Sequence, residues 1–236
     1  MPHFNGMTLQ WLGHATFYLE TVKGTTVVID PWIDSNPACP QGWKAPKGVE
    51  LVLCTHGHSD HIGDALVVEK KYHPTFVGMN ELAAWLTSKG VKSAVGMNIG
   101  GSYRYKDVMV SMVPARHSSG IDDNGNMIYA GEAAGYVVQV DGEPPFYHAG
   151  DTALFSDMKL IRELYAPEIA CLPIGDHYTM GPRAAAMAAD YLGSKKAIPI
   201  HYGTFPVLTG TPSEFRNHLK EKPVEVIEMT PGESLR

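Results

Sequence analysis

The chain has 236 residues, 44% hydrophobic and 19% charged, a composition that excludes a disordered chain and, at roughly 150 residues per domain, predicts a single α/β domain over residues 1–236. Lys and Arg total 19 against 25 Asp and Glu, a net charge of −6, which argues against broad, sequence-independent nucleic-acid binding. The three cysteines, Cys39, Cys54 and Cys171, show no CxxC spacing, so neither a disulfide framework nor a thiolate site is expected and a reduced, cytoplasmic location is the simplest reading. No secretory signal or membrane span is visible.

In chain order, strands are predicted at Met7–Leu12, Thr16–Thr21 and Thr25–Asp30, where β-branched and aromatic residues are punctuated by Gly13 and Lys23-Gly24. Pro31, Pro37, Pro40 and Pro46 mark a loop through Ser35–Gly48. An apolar strand, Glu50–Thr55, runs into His56, and Asp60–Lys71 has helical spacing. Strand Thr75–Gly78 and helix Asn80–Lys89 follow, with Asn80 as its N-cap. The second half repeats the mixture. Strands are predicted at Ser102–Tyr105, Val108–Pro114, Gly135–Val140, Pro145–Ala149, Ile169–Pro173, Ala197–Ile200 and Val224–Met229. Helices are predicted at Ser156–Tyr165, Pro182–Leu192 and Ser213–Lys220. Such alternation suggests mixed α/β layering.

Eleven histidines are many for this length, and their placement carries the chemistry. Residues 55–61 read Thr-His-Gly-His-Ser-Asp-His. His56 and His58 fall in a loop above a strand end, and one helical turn sets Asp60 beside His61. Imidazole nitrogen and carboxylate oxygen suit Zn, Mn or Fe. So many ligands in so few residues cannot all reach one small ion without strain, whereas two ions a few ångströms apart accommodate them. Further along stand His117 in Pro-Ala-Arg-His-Ser-Ser, Asp151 in His-Ala-Gly-Asp-Thr and His201 in Ile-Pro-Ile-His-Tyr-Gly.

This ordered set resembles the metallo-β-lactamase-fold superfamily over residues 8 to about 205. The resemblance implies a four-layer αββα sandwich with mixed sheets. It also implies two divalent cations, one held by His56, His58 and His117 and the other by Asp60, His61 and His201, with Asp151 bridging them. Trp11-Leu12-Gly13-His14-Ala15-Thr16, Asp30-Pro31, Tyr147-His148-Ala149-Gly150-Asp151-Thr152 and Leu172-Pro173-Ile174-Gly175 resemble the ascorbate-6-phosphate lactonase-like branch. The Gly-His-Ala-Thr and Asp-Pro signatures are also similar to the phospholipase D of N-acylethanolamine lipid metabolism. Aspartate at 151, where the commonest zinc β-lactamases carry cysteine, argues against antibiotic hydrolysis.

The implied activity is hydrolysis of an ester or lactone by hydroxide held between two metals, with a phosphorylated sugar-like small molecule among the substrates in view. Asp60 and Asp151 would orient the nucleophile, and His177 or His14 would protonate the leaving group. A phosphodiesterase acting on RNA, a cyclic nucleotide or lipid shares every ligand, and a non-catalytic metal-binding protein is the reading from another class. Asp30 is expected to support the histidine loop, though Asp-Pro is also a common turn start. His14 is read equally as a turn histidine or a pocket residue, His148 as packed, and Asp176 as a tuner of His177. Arg116 and Arg183 are candidate anion contacts, otherwise solvated. Residues 118–126 read as a lid or as an exposed hairpin tip. Ser118 and Ser119 lack a nucleophile elbow. A homo-oligomer is compatible with the sequence.

Overall fold

The computed structural model describes residues 3–236. Strands β1 (Thr8–Trp11), β2 (Phe17–Glu20) and β3 (Thr26–Ile29) form an antiparallel meander. Strands β4 (Leu51–Leu53), β5 (Thr75–Met79) and β6 (Ala94–Met97) then add in parallel. Helices α1 (Ser59–Ile62), α2 (Ala65–Tyr72) and α3 (Asn80–Ser88) lie between them in sequence. The second sheet is built the same way. Strands β7 (Ser102–Tyr105), β8 (Val108–Pro114), β11 (Ala134–Val140) and β12 (Phe146–His148) pair antiparallel. A separate hairpin, β9 (Gly120–Asp123) and β10 (Asn126–Tyr129), is inserted before β11. Helix α4 (Met158–Tyr165), β13 (Ile169–Pro173), α5 (Pro182–Leu192), β14 (Lys196–Ile200), α6 (Pro212–His218) and β15 (Glu225–Val226) complete it, with β13, β14 and β15 parallel to β12. The chain then returns to the first sheet, where β16 (Ser234–Leu235) pairs with β1.

Side-chain alternation divides the second sheet between two cores. Tyr136, Val138, Phe146, Cys171, Ile198 and Ile200 face the first sheet, while Val137, Tyr147, Ala170, Leu172 and Ala197 face α4, α5 and α6. On the opposite flank α3 packs on β5 and β6, and its Leu82 and Leu86 are fully buried. The result is helices, sheet, sheet, helices, as the sequence suggested. Each fully buried aliphatic or aromatic side chain in these layers contributes roughly 1.5–3 kcal/mol.

Several boundaries differ from expectation. Helix 60–71 is two helices, broken at Gly63-Asp64, because the Asp64 carboxylate accepts from the Ile33 amide (2.6 Å) and from Ser35 instead of capping α2. The N-cap of α3 is Met79, without a side-chain cap, and Asn80 is already helical. The strand expected at 224–229 is two residues long. Strands β6, β9, β10 and β16 were not anticipated: β16 is two residues long, β6 carries Gly96 within four, and β9–β10 lie in a turn-rich stretch. Helix α6 starts in a capping box, with Thr211 and Glu214 bonded reciprocally.

The two sheets are tied at the buried Tyr136, whose hydroxyl donates to the Cys54 carbonyl (3.0 Å) and lies 3.3 Å from that of Val77. Tyr136→Phe is expected to lower stability by about 1–2 kcal/mol, the cost of leaving a buried acceptor unpaired, while keeping the fold. Urea denaturation followed by circular dichroism checks this: a midpoint shift at constant slope is expected.

Candidate metal centre

Strand direction explains why the candidate residues meet. Within the first sheet β1, β3, β4 and β5 run the same way, and within the second β8, β12, β13 and β14 do. His14 follows β1, Asp30 follows β3, and His56–His61 follow β4. His117 follows β8, Asp151 follows β12, and His201 follows β14. Every one therefore lies just beyond the carboxyl end of a strand, where open α/β sheets characteristically bind ligands. The chain turns sharply at these ends: Asp30 (φ 48°), His14 (φ 54°) and His201 (φ 54°) all occupy the left-handed region, which costs of order 1–3 kcal/mol each for non-glycine residues. Gly150 (φ 58°) must be glycine, since a Cβ there would lie 2.7 Å from that of Thr55.

Two groups of four donors result: His56, His58, His117 and Asp151, and His14, Asp60, His61 and His201. In the first, His58 Nδ1 is 3.0 Å from His56 Nε2 and 3.3 Å from His117 Nε2, and Asp151 Oδ2 is 3.5 Å from His117 Nε2. In the second, Asp60 Oδ2 is 3.1 Å from His14 Nε2 and 3.6 Å from His201 Nε2. Asp151 reaches this group as well: Oδ1 is 3.3 Å from His61 Nε2, and Oδ2 is 3.1 Å from His201 Nε2. Yet His61 Nε2, His201 Nε2 and Asp151 Oδ1 are buried without a hydrogen-bond partner. Buried polar atoms are rarely left so. Donor atoms this close but unbonded share a focus between them, which fits a cation.

His201 Nδ1 is likewise buried without a partner, whereas the Nδ1 atoms of His61, His56 and His14 are held. Asp30, fully buried, accepts from the Thr55 amide (2.8 Å), the Thr55 hydroxyl (2.8 Å) and His61 Nδ1 (2.7 Å). The same hydroxyl lies 3.0 Å from His56 Nδ1. His14 Nδ1 lies 3.0 Å from the Thr204 hydroxyl, and its ring rests 3.9 Å from that of His201. Trp32 and Phe205 approach the His14 ring edge to face.

Burial and charge set the protonation pattern. Burial lowers His56 well below the usual imidazole value, lowers His58 and His117, and brings His14 down to about 4. For His61 and His201 burial also disfavours the charged form, but the Asp151 carboxylate overrides it. His61 is raised well above the ordinary value and His201 to about 9. Burial would likewise raise Asp60 and Asp151, but the facing imidazoles hold both carboxyls below the usual range.

All seven residues read from the sequence as metal ligands thus converge, and His14 joins them. His177 does not. Asp176 (φ 65°) and His177 (φ 55°) are both left-handed, His177 is exposed, and it is Tyr178 beside it that lines the cavity over the donors. Asp176 and Arg183 line a separate hollow with Glu214 and His218. Arg116 is exposed and absent from the cavity lining. His148 is buried between the sheets, its Nε2 donating to the Ala15 carbonyl (2.8 Å) and its Nδ1 accepting from the Gly150 amide (3.1 Å). Residues 118–126 contribute β9 and the turn of a hairpin that walls the cavity. Sequence reasoning missed Thr55, although it directly precedes the histidine motif, and Thr204, which no local signal marks.

Residues 25–202 match the model of the beta-lactamase superfamily domain. A UPF0173 metal-dependent hydrolase of Koribacter versatilis is 55% identical over 229 residues, covering 97% of both chains. One of Solibacter usitatus is 48% identical, covering 98% of this chain and all of its own. Among solved structures, a metallo hydrolase of the archaeon Ignicoccus hospitalis superposes with a TM-score of 0.85 at 35% identity, covering 97% of each chain. The chain belongs to the metallo-β-lactamase-fold superfamily and is a metal-dependent hydrolase.

Two outcomes are expected. Asn at position 30 offers one acceptor oxygen where the carboxylate offers two, so Asp30→Asn should weaken Zn²⁺ binding by about 10–100-fold, measurable by chelator competition. The Asp151 carboxylate raises His61 well above the ordinary imidazole value and His201 to about 9, so the metal-free protein favours the charged rings at pH 7, and a cation needs the neutral ones. Binding of Zn²⁺ at pH 7 should therefore release between about one and two protons per chain, and fewer as pH rises past the His201 value near 9. Calorimetry in buffers of different ionisation enthalpy measures this.

Proposed function

We propose that the chain acts as one catalytic unit holding two divalent cations, Zn, Mn or Fe, and hydrolysing a carboxylic ester or lactone of a small molecule. The observation that carries this reading is the convergence of His61 Nε2, His201 Nε2 and Asp151 Oδ1, buried and unpartnered, on one focus. His56, His58 and His117 would hold one cation, Asp60, His61 and His201 the other, and Asp151 reaches both groups. The single-unit reading follows from the supply of donors: the first sheet provides His14 and residues 56–61, the second His117, Asp151 and His201. Neither half has a complete set.

When bound, such cations polarise the scissile carbonyl and lower the pKa of water. The chain's residues orient and move protons around them. Asp60 and Asp151, held ionised, balance the cationic charge and orient the water. His14 is neutral at pH 7, and its Nε2 lies within hydrogen-bond distance of Asp60 Oδ2 while Nδ1 faces the half-exposed Thr204 hydroxyl. It is placed to donate to Asp60 and hold that carboxylate in position. Tyr178 and Phe205 line the cavity from the side. The net reaction adds water across the acyl C–O bond and gives an acid and an alcohol. Free cysteines support a reducing, cytoplasmic setting, and among the described residues no helix is long and apolar enough to cross a membrane.

Metal analysis of gently purified protein, with lactone and aryl ester panels run against bis(p-nitrophenyl) phosphate, tests the reading. Turnover of lactones or esters with about two metals per chain is expected, and turnover of the phosphodiester alone would replace the substrate class. Asp151→Asn keeps the shape but removes one charge and one good donor oxygen. Its metal content should fall towards one per chain, its kcat should fall by about 100-fold or more, and the pH profile should shift upward. Two tightly held ions with an unmoved profile would show that Asp151 does not join the two groups.

A further inference from the structure

The cavity above the donors encloses about 600 Å³ and is open to solvent. Apart from the candidate metal donors, its ionisable side chains are Asp122 and the phenol Tyr178; among the described residues no lysine or arginine lines it. Its remaining lining is the small Ser59, Ser118 and Gly120 and the apolar Met127 from the hairpin, Phe205 and Val207. Met127 is 75% exposed, Tyr178 56% and Val207 41%. Single exposed apolar side chains are ordinary, but here three of them stand together around the mouth of one cavity beside the metal donors. A second hollow of about 540 Å³ adjoins the first across Met127 and continues its character, with Ile128, Tyr129 and the acidic Glu132.

We propose that this site selects substrates whose non-reacting part is uncharged and apolar, such as alkyl- or aryl-substituted lactones and esters, over phosphorylated ones. The inference rests on the hydrolase reading above and deepens it. A phosphomonoester carries a charge of about −1.5 to −2 at pH 7. Seated beyond the donors it would face the Asp122 carboxylate with no guanidinium or ammonium to meet it, and it would lose water to an apolar wall. An alkyl chain in the same place buries Met127, Val207 and the Tyr178 ring. Asp122 also accepts from the Gly125 amide at the hairpin turn (2.7 Å), which fixes its carboxylate on this side of the hairpin.

The test uses metal-loaded full-length protein and a six-membered lactone in two forms, with a pentyl tail and with a phosphomonoester tail. Non-hydrolysable ketone isosteres of both are measured by calorimetry. The pentyl lactone should exceed the phosphorylated one in kcat/KM by about 10-fold or more, and its isostere should bind more tightly. Met127→Ser and Val207→Ser should each cut that preference by about 3–10-fold, mainly through KM. A preference for the phosphorylated compounds, or a pentyl preference untouched by both variants, overturns the inference while leaving the hydrolase reading intact. If neither lactone is turned over but the pentyl isostere still binds more tightly, and both variants weaken it, the ester reading fails and the apolar subsite stands. If the variants change the oligomeric state but not the preference, the patch is an interface between copies of the chain and the inference is wrong.

Discussion

One buried carboxylate organises the site. Asp30 is fully enclosed and accepts three hydrogen bonds, two from Thr55 and one from His61 Nδ1. Because the Thr55 hydroxyl donates to Asp30, it is left to accept from His56 Nδ1. A single charge therefore sets the tautomer of one histidine in each donor group and turns both Nε2 atoms inward. An unpaired carboxylate at this depth would cost several kcal/mol, so the arrangement of Thr55, His56 and His61 is also the one that best solvates Asp30. Fold and site share this interaction. The backbone of Asp30 is in turn fastened by the Thr16 hydroxyl, which donates to its carbonyl (2.7 Å).

The topology does the rest. Each sheet is a meander followed by parallel strands, so each presents several carboxyl ends along one edge, and the two edges meet. Donors follow those ends directly, and the turns that aim them demand left-handed backbone at Asp30, His14 and His201. Such strain persists only where the surroundings over-determine it. Here they do: the His201 amide donates to the His14 carbonyl (3.1 Å), the Trp11 indole donates to the same carbonyl (3.1 Å), and the two imidazoles are in contact, tilted by 43° with their centroids 3.9 Å apart. The first sheet's turn and the second sheet's strand end thereby hold each other in unfavourable conformations that neither would keep alone.

How much of this was legible depended on sequence distance. The 56–61 cluster and the strands that precede each ligand carry local signals, an apolar run ending in histidine or aspartate, and these located the donors. His14 carries only a Gly-His turn, and its role rests on Asp60 and His201, 46 and 187 residues away, which no periodicity connects. The break of the 60–71 helix was hidden for the same reason: Asp64 abandons its capping position to bind residues 33 and 35, a tertiary demand that overrides helical spacing. His177 looked better than Tyr178 by residue type alone, but after two left-handed residues at 176 and 177 it is Tyr178 that lines the cavity. The hairpin of β9 and β10 gave no strand signal because its exposed residues need not alternate.

The site is thus made of two materials. Its floor is largely buried, held through Asp30, Thr55 and Thr204, and anchored in both sheets. Changing it disturbs a carboxylate, a tautomer or a strained turn, each tied to the fold. Its rim is the opposite. Met127, Tyr178 and Val207 are exposed, sit on a hairpin and loops, and add little to either core. Substitution at exposed positions of this kind usually changes stability by less than about 0.5 kcal/mol. Physical necessity therefore couples the kind of bond broken to the fold itself, through Asp30 and the strand ends. The choice of molecule carrying that bond is left to residues whose replacement the fold scarcely registers. The apolar, cation-free rim is accordingly the part of the structure that speaks about substrate.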